Sequence, residues 1–449
     1  MDFRKIKVLN VDDLSGNRFN CQAKEKNNIK YEVYSEKQLY SFISKPYHTS
    51  NRTRNIMYKK ILSLLFFILL NLSIYANDTA GTILPTGGIV FEKQDGIKMK
   101  VEALYIRPWK VEVNYIFENT TDQDITTQVF FPLPKMPAVE QYLGEETHNY
   151  HFKLWVNGKP QKVQTHWTIT QNDKDITRYV FFLFWRPEEV ITEQKLSQRL
   201  HMLFPELRQK LIEENIIEWG WTLDRDEQEV QNWKMPDSAS WKKQVSYSWE
   251  QTFPAQKTVS IRHVYTPTAI QNSAGYPYSK CVDFKSSAYR KFALFPEDEP
   301  EYTDQHLYAR NYLEYILTTA NNWQGPIENF NLLIESPLKS VGCFDGKAFY
   351  AEKHFAINRR NYIPECDLAA EFLVNRTTSL PQTTPNTPIL YRVDGPANVR
   401  QNPNGKIIGQ FANDTYVWVW PDEEEGSWYL VMQNQIRGYT HKQNLIKVF

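Results

Sequence analysis

The apolar positions of this chain recur mostly at every second residue, the period of half-buried strands. Ile97, Met99 and Val101, and then Val111, Val113, Tyr115 and Phe117, follow that rhythm and predict two strands. Asn119 to Asp122 supplies a turn, and residues 128–131 resume a strand that Pro132 and Pro134 must end, because proline cannot donate to a ladder. Asn157-Gly158, between residues 152–156 and 162–165, is the dipeptide that most favours the left-handed backbone of a tight hairpin. Residues 179–185 (YVFFLFW) are apolar throughout and predict a strand buried on both faces between the charged Arg178 and Arg186; a surface for lipid or another hydrophobic ligand is the sharper alternative. The period changes between Thr192 and Ile217, where Leu196, Leu200, Leu203, Leu207 and Leu211 step by three and four and predict a helical insertion. Pro205 breaks it at Phe204 and opens a second helix. Strand patterns return at Trp249, Gln251 and Phe253, at Val259, Ile261, His263 and Tyr265, and at Phe330, Leu332 and Ile334. Residues 377–387, rich in Thr and Pro, read as a linker, and residues 388–449 carry five short strands at the spacing of a small barrel. The expected fold is mainly β, a β-sandwich-like body with a helical insertion and a small β-barrel at the C-terminus.

An apolar run also lies well inside the amino end. Residues 57–76 (MYKKILSLLFFILLNLSIYA) have the layout of an export signal, with Lys59 and Lys60 ahead of the apolar stretch 61–70 and Ala76 before a polar start. The run is too short to span a bilayer, so no stable membrane span is expected after cleavage. A buried core helix or an uncleaved anchor is the blander alternative. An export signal is read at an N-terminus, so Met57 is the expected start, and residues 1–56 are expected to be a non-native leader or mis-start. The expected organisation is therefore 1–56 leader, 57–76 signal peptide, 77–376 β-rich body, 377–387 linker and 388–449 barrel, in a periplasmic or secreted protein.

That division changes the meaning of the charge balance. The whole chain carries 52 basic and 52 acidic residues, whereas residues 77–449 carry 39 and 46, a net of −7. Nucleic acid is excluded as a partner class, since phosphate binding needs a basic surface. Cys281, Cys343 and Cys366 remain after position 76, which in an oxidising compartment predicts one disulfide and one further thiol; spacing does not say which two pair.

Two resemblances sharpen the picture. Asn398-Val399-Arg400, Ile408-Gly409, Trp428-Tyr429 and Gly438-Tyr439 followed by His441 keep the order and spacing of the bacterial SH3 family, so residues 388–449 resemble an SH3-like domain. The turn Asn402-Pro403-Asn404-Gly405 stands where that family often has Gly-Pro, which affects a loop rather than the fold. Residues 77–91 (NDTAGTILPTGGIVF), the strands up to Phe131-Pro132-Leu133-Pro134, WEQTFP at 249–254, NNWQGPI at 321–327 and Gly342-Cys343-Phe344-Asp345-Gly346 resemble the secreted bacterial family catalogued as domain of unknown function 4424. That resemblance implies secretion and a β-rich body, with no known activity. Cysteines like Cys281 and Cys343 recur in that family, so the resemblance implies a disulfide between them, with Cys366 as an addition.

Chemistry is sparse. Cys343 or Cys366 with His354 are the nearest thiol–imidazole pairings in sequence, and neither sits in a nucleophile-bearing motif. His263 shares its strand face with Val259 and Ile261, which favours a hydrogen-bonded core histidine over a ligand. No His/Cys/Asp spacing suits a metal, no glycine-rich phosphate loop appears, and no cofactor is expected. Glu423 to Glu425 reads as a solvated loop. The expected function is a non-catalytic envelope binding or scaffold protein. Its barrel would recognise a cell-wall glycan or peptide, or an envelope protein, through Tyr391, Trp418, Trp420, Trp428 or Tyr439. Strand alternation must turn about half of these into the barrel core. A cell-wall hydrolase or peptidase targeted by the barrel is the alternative, and a nucleophile–base pair would mark it.

Overall fold

The computed structural model describes residues 6–8, 19–25, 28–34, 79–83, 89–140, 150–181, 191–224, 226, 228–236, 241–267, 270–271, 308–375 and 387–449. The chain divides into two units, Met1–Ser73 and Ile74–Phe449. In the first, Ile6–Val8, Phe19–Glu25 and Asn28–Tyr34 form a three-stranded antiparallel sheet. The expected signal peptide, residues 377–386 of the expected linker and Cys281 lie outside the described residues.

The second unit is mainly β, as its alternation predicts. Its longer body strands are β1 (Ile97–Arg107), β2 (Lys110–Asn119), β3 (Ile125–Pro132), β4 (Gln164–Gln171), β5 (Trp241–Phe253), β6 (Thr258–Tyr265), β7 (Tyr308–Tyr315), β8 (Ile327–Glu335), β9 (Ser340–Phe344), β10 (His354–Tyr362) and β11 (Leu368–Asn375). A seven-stranded sheet orders a hairpin at its edge, then β6, β2, β1, β8 and β10, with only β8 and β1 parallel. That hairpin joins Lys153–Val156 to Lys159–Gln161 across Asn157 and Gly158, whose φ angles of 48° and 73° are those of the tight turn the dipeptide predicts. Its second strand directly follows the turn instead of occupying the expected 162–165, because residues from Gln164 onward join β4 of another sheet, which also contains β5 and β3. A third sheet pairs β7, β11 and β9. The three sheets share one core, in which Phe117 packs on Phe253 (5.8 Å) and Trp323 (4.9 Å), and Phe330 stacks on Phe344 (5.7 Å).

Two local expectations need correction. Thr177–Phe181 is a helical turn rather than the start of a strand. The Asp175 carboxylate accepts the Thr177 N–H at 2.8 Å, a local bond that competes with a ladder, while Tyr179 and Val180 are buried with the helical insertion. Residues 182–190 lie outside the described set. The second correction concerns β1. A bulge between Met99 and Val101 switches the faces of the strand. Ile97 and Met99 point into the shared core, whereas Val101, Ala103 and Tyr105 point to the opposite side, which is also buried. The helical insertion follows expectation, as α1 (Glu193–Met202), capped by the Thr192 hydroxyl, and α2 (Pro205–Glu213), opened by the proline.

Residues 389–447 form one seven-stranded sheet rather than five strands. Its members are β12 (Ile389–Val393), β13 (Ala397–Arg400), β14 (Ile407–Phe411), β15 (Tyr416–Glu425), β16 (Trp428–Gln433), β17 (Ile436–His441) and β18 (Leu445–Lys447), ordered β14-β13-β17-β16-β15-β12-β18. One face closes on its own small core of Val393, Ala397, Val399, Phe411, Val417, Val419 and Val431. The other face packs on the outer side of β1, β8 and β10. There Leu390, Trp418, Trp420, Leu430 and Met432 meet Val101, Ala103, Tyr105, Leu333 and Ala356. Polar contacts close the seam: Arg360 Nη2 donates to Asp414 O (2.8 Å), the Asn358 N–H to Asn434 Oδ1 (3.0 Å) and Lys110 Nζ to Thr387 Oγ1 (3.0 Å).

Candidate functional site

The five aromatic candidates separate into three groups. Tyr391 belongs to the small core of the C-terminal sheet, next to Tyr429 at 5.7 Å. Trp418 and Trp420, each 3% exposed, are taken up by the seam. The Trp418 ring lies 6.3 Å from Tyr105, and Trp420 meets the His354 ring edge-on at 5.6 Å with the Arg437 guanidinium 5.6 Å from its centroid. Burial is the main cause that lowers the His354 pKa; Arg437, Arg107 and Lys353 act in the same direction and Glu335 opposes them. Trp428 and Tyr439 remain half-exposed, Tyr439 packing against the edge of the seam cluster.

These two share a face for a simple reason of register. Trp428 pairs with His441, Leu430 with Tyr439, and Tyr439 with Arg400, so alternation places Arg400, Trp428, Tyr439 and His441 on one side of β13, β17 and β16. This strip continues the face that the body covers farther along, where Leu430 and Met432 are buried. The His441 ring meets Trp428 edge-on at 5.2 Å, and the Arg400 guanidinium lies 5.8 Å from the Trp428 centroid. Glu423 to Glu425, expected as a solvated loop, instead end β15, where Glu424 and Glu425 pair in register with Tyr429 and Trp428, and their charge is largely neutralised. Arg437 pairs with Glu423 (3.5 Å), Lys442 with Glu424 (2.5 Å), and the Tyr439 hydroxyl donates to Glu425 (2.9 Å), a bond that raises the tyrosine pKa. The sequence named Trp428 and Tyr439 as candidates, whereas Arg400 and His441 stood out only as residues of the SH3-like resemblance, because their place beside Trp428 depends on cross-strand register.

Elsewhere the structure brings together one nucleophile–base pair that sequence separation concealed. His166 Nε2 lies 2.7 Å from Ser248 Oγ across β4 and β5. Burial lowers the His166 pKa, which keeps the imidazole neutral. Ser248 is nevertheless fully buried in mid-strand, with β4 and β3 paired on its two sides, so the local N–H groups serve ladders rather than an oxyanion hole. Among the described residues no carboxylate orients the histidine, and the pair reads as a structural hydrogen bond. Neither Cys343 nor Cys366 is hydrogen-bonded to His354 among the described residues. Cys343 is buried on β9, and Cys366 Sγ accepts the Gly346 N–H at 3.1 Å. His263 is buried among Phe131 (4.8 Å), Phe152 (5.2 Å), Trp249 (5.3 Å) and Tyr115 (5.7 Å), and burial lowers its pKa to about 3. Among the described residues no group of three His, Cys, Asp or Glu side chains could hold a metal, and no helix is long and apolar enough to cross a membrane.

The motifs that suggested a family have structural work to do. Within NNWQGPI, Asn322 Nδ2 donates to Thr79 Oγ1 (2.9 Å), Trp323 fills the core, and Gln324 Oε1 accepts the Gly96 N–H (3.1 Å). Asp345 and Gly346, at φ 55° and 67°, make the two-residue turn after β9. Gly342 is required by close approach, since a Cβ there would lie 2.1 Å from Ala369 O. Comparison with curated proteins finds no match. Among solved structures, the chain is similar at 15% identity to a "putative nutrient binding protein" from Legionella pneumophila subsp. pneumophila str. Philadelphia 1, over 66% of this chain and 70% of that one. The TM-score is 0.31, too low to carry an argument. The family model described as domain of unknown function (DUF4424) matches residues 76–370, and the chain belongs to that family.

Proposed function

We propose that this protein is a secreted, non-catalytic binding protein of the cell envelope, in which residues 388–449 form an SH3-like barrel that holds cell-wall material or a protein segment. One observation carries the reading: a half-exposed aromatic strip, Trp428 and Tyr439 with Arg400 and His441, stands on a sheet whose other aromatics are consumed by its core and by the body. An aromatic ring beside polar donors is a common anchor for a weakly held ligand. The signal-like run at 57–76 supports export, and the buried mid-strand setting of the His166–Ser248 pair speaks against the hydrolase alternative. The test is co-sedimentation of the full chain with purified peptidoglycan. The wild type is expected in the pellet, and Trp428→Ala should lower the retained fraction severalfold with unfolding unchanged. Retention that is unaffected by Trp428→Ala would place binding elsewhere, and no retention of the wild type would remove the cell-wall reading.

A further inference from the structure

The charges around Trp428 constrain what it can bind. Arg437, on this face, is paired with Glu423; Lys442, whose ammonium lies 4.7 Å from the Tyr429 ring on the opposite face, is paired with Glu424; and Glu425 is engaged by Tyr439. Arg400 is different. Its Nη1 donates to Gly405 O (2.7 Å), its guanidinium lies beside Trp428, and among the described residues no carboxylate pairs with it. His441 accepts the Gln443 N–H on Nδ1 (3.3 Å), so in the neutral imidazole the ring proton sits on Nε2 and is a donor. Two donors of the type that recognise anions thus adjoin one aromatic ring.

We propose, resting on the binding role of this strip, that its ligand is a peptide bearing a free C-terminal carboxylate, taken by Arg400 and His441 while Trp428 carries the adjoining apolar group. A guanidinium presents a planar fork that matches a carboxylate, which a neutral sugar lacks. Charge count argues against a polyanion. Arg400 contributes one positive charge, the Arg437–Glu423 and Lys442–Glu424 pairs cancel, and Glu425 adds one negative charge close by. Since these charges leave the strip with no surplus positive charge, a single carboxylate can be held by the Arg400 fork, whereas a phosphorylated or polyanionic ligand would find no second unpaired cation among these groups. A cell-wall stem peptide and a protein terminus both supply such a carboxylate, and the chemistry at the strip is the same.

Isothermal titration of the full chain separates these. The probes are a muropeptide with a free stem-peptide carboxylate and an unrelated linear tripeptide, each beside its C-terminal amide. The acid is expected to bind about tenfold more tightly than the amide, as one charge-assisted contact in a partly exposed site would give. Arg400→Gln should bring that ratio to about one, Arg400→Lys should retain part of it, and Trp428→Ala should weaken acid and amide alike. Discrimination with the muropeptide only assigns the cell wall as source, and discrimination with both assigns any peptide terminus. Equal binding of acid and amide by the wild type overturns the carboxylate inference while leaving the binding role intact. No binding of any of the four overturns both. Because the first comparison uses only the wild type, it stands even if a variant fails to fold.

Discussion

Trp418→Ala distinguishes a side chain that docks the C-terminal sheet on the body from one that holds that sheet's own core together. Trp418 is 3% exposed in the full chain and packs on Tyr105, Val101 and Leu333 of the body rather than on Val419 and Phe411 of its own sheet's core. Truncating a buried tryptophan costs about 3–5 kcal/mol. In the full chain that loss falls on the docking of the C-terminal sheet. In a fragment of residues 388–449 the same side chain faces water, and its truncation should cost less than about 0.5 kcal/mol. Phe411→Ala is the control. Phe411 lies in the sheet's own core, so about 3–5 kcal/mol should be lost in both settings. Urea unfolding reads both, since at an m-value of about 1–3 kcal/mol/M such a loss moves the midpoint by about 1 M or more. If Trp418→Ala damages the fragment as much as Phe411→Ala does, Trp418 belongs to the sheet's own core and the seam is wrongly assigned. A fragment that is unfolded as wild type would mean that the body is needed to complete it.

Four further outcomes follow from particular residues. His263 is held neutral by burial, at about 3 against an ordinary 6.5, so the unfolded chain takes up a proton that the folded one refuses. Stability should fall as pH drops below the unfolded value, by up to about 1.4 kcal/mol per pH unit, and His263→Phe should flatten the slope measured by urea midpoint. Gly342→Ala should destabilise the body, because the new methyl meets the backbone oxygen of Ala369; an unchanged melting temperature would contradict the close approach. If Cys281 and Cys343 are bridged, replacing either by Ser should cost about 2–4 kcal/mol and Cys366→Ser less, and peptide mapping without reduction that finds Cys366 bridged would refute the pairing. Translation from Met57 should give an exported protein beginning at Asn77, checked by N-terminal sequencing; residues 1–56 on the exported form would contradict it.

Strand existence was legible in the sequence wherever apolar core positions alternated with polar or half-exposed ones. β6 is the clear case, since Val259, Ile261, His263 and Tyr265 are all buried as their spacing predicts, between the less buried Thr258, Ser260, Arg262 and Val264. β1 is not, because both of its faces are buried and period alone cannot register a bulge; Val101 therefore lands opposite Met99. The 179–185 run misled for a related reason. An apolar segment of that length does not distinguish a buried strand from a buried helical turn, and here a local bond from Asp175 decided for the turn over Thr177–Phe181.

The candidate site was half legible. Residue type singled out the aromatics, and alternation correctly required some to turn inward, but a third destination, the surface of another part of the same chain, left no mark on residues 388–449 alone. It left one on the body. Val101, Ala103 and Tyr105 make the outer side of β1 apolar, and Leu333 and Ala356 extend that patch across β8 and β10. An apolar patch of this kind is seldom left uncovered in a folded protein. Its cover removes Trp418 and Trp420 from any ligand and leaves Trp428 at the margin of the same face, where Arg400 and His441 become its neighbours. The docked geometry thus narrows five aromatic candidates to a strip with one unneutralised cation. A ligand there would be held on a sheet already fixed to the body by Arg360, Asn358 and Lys110.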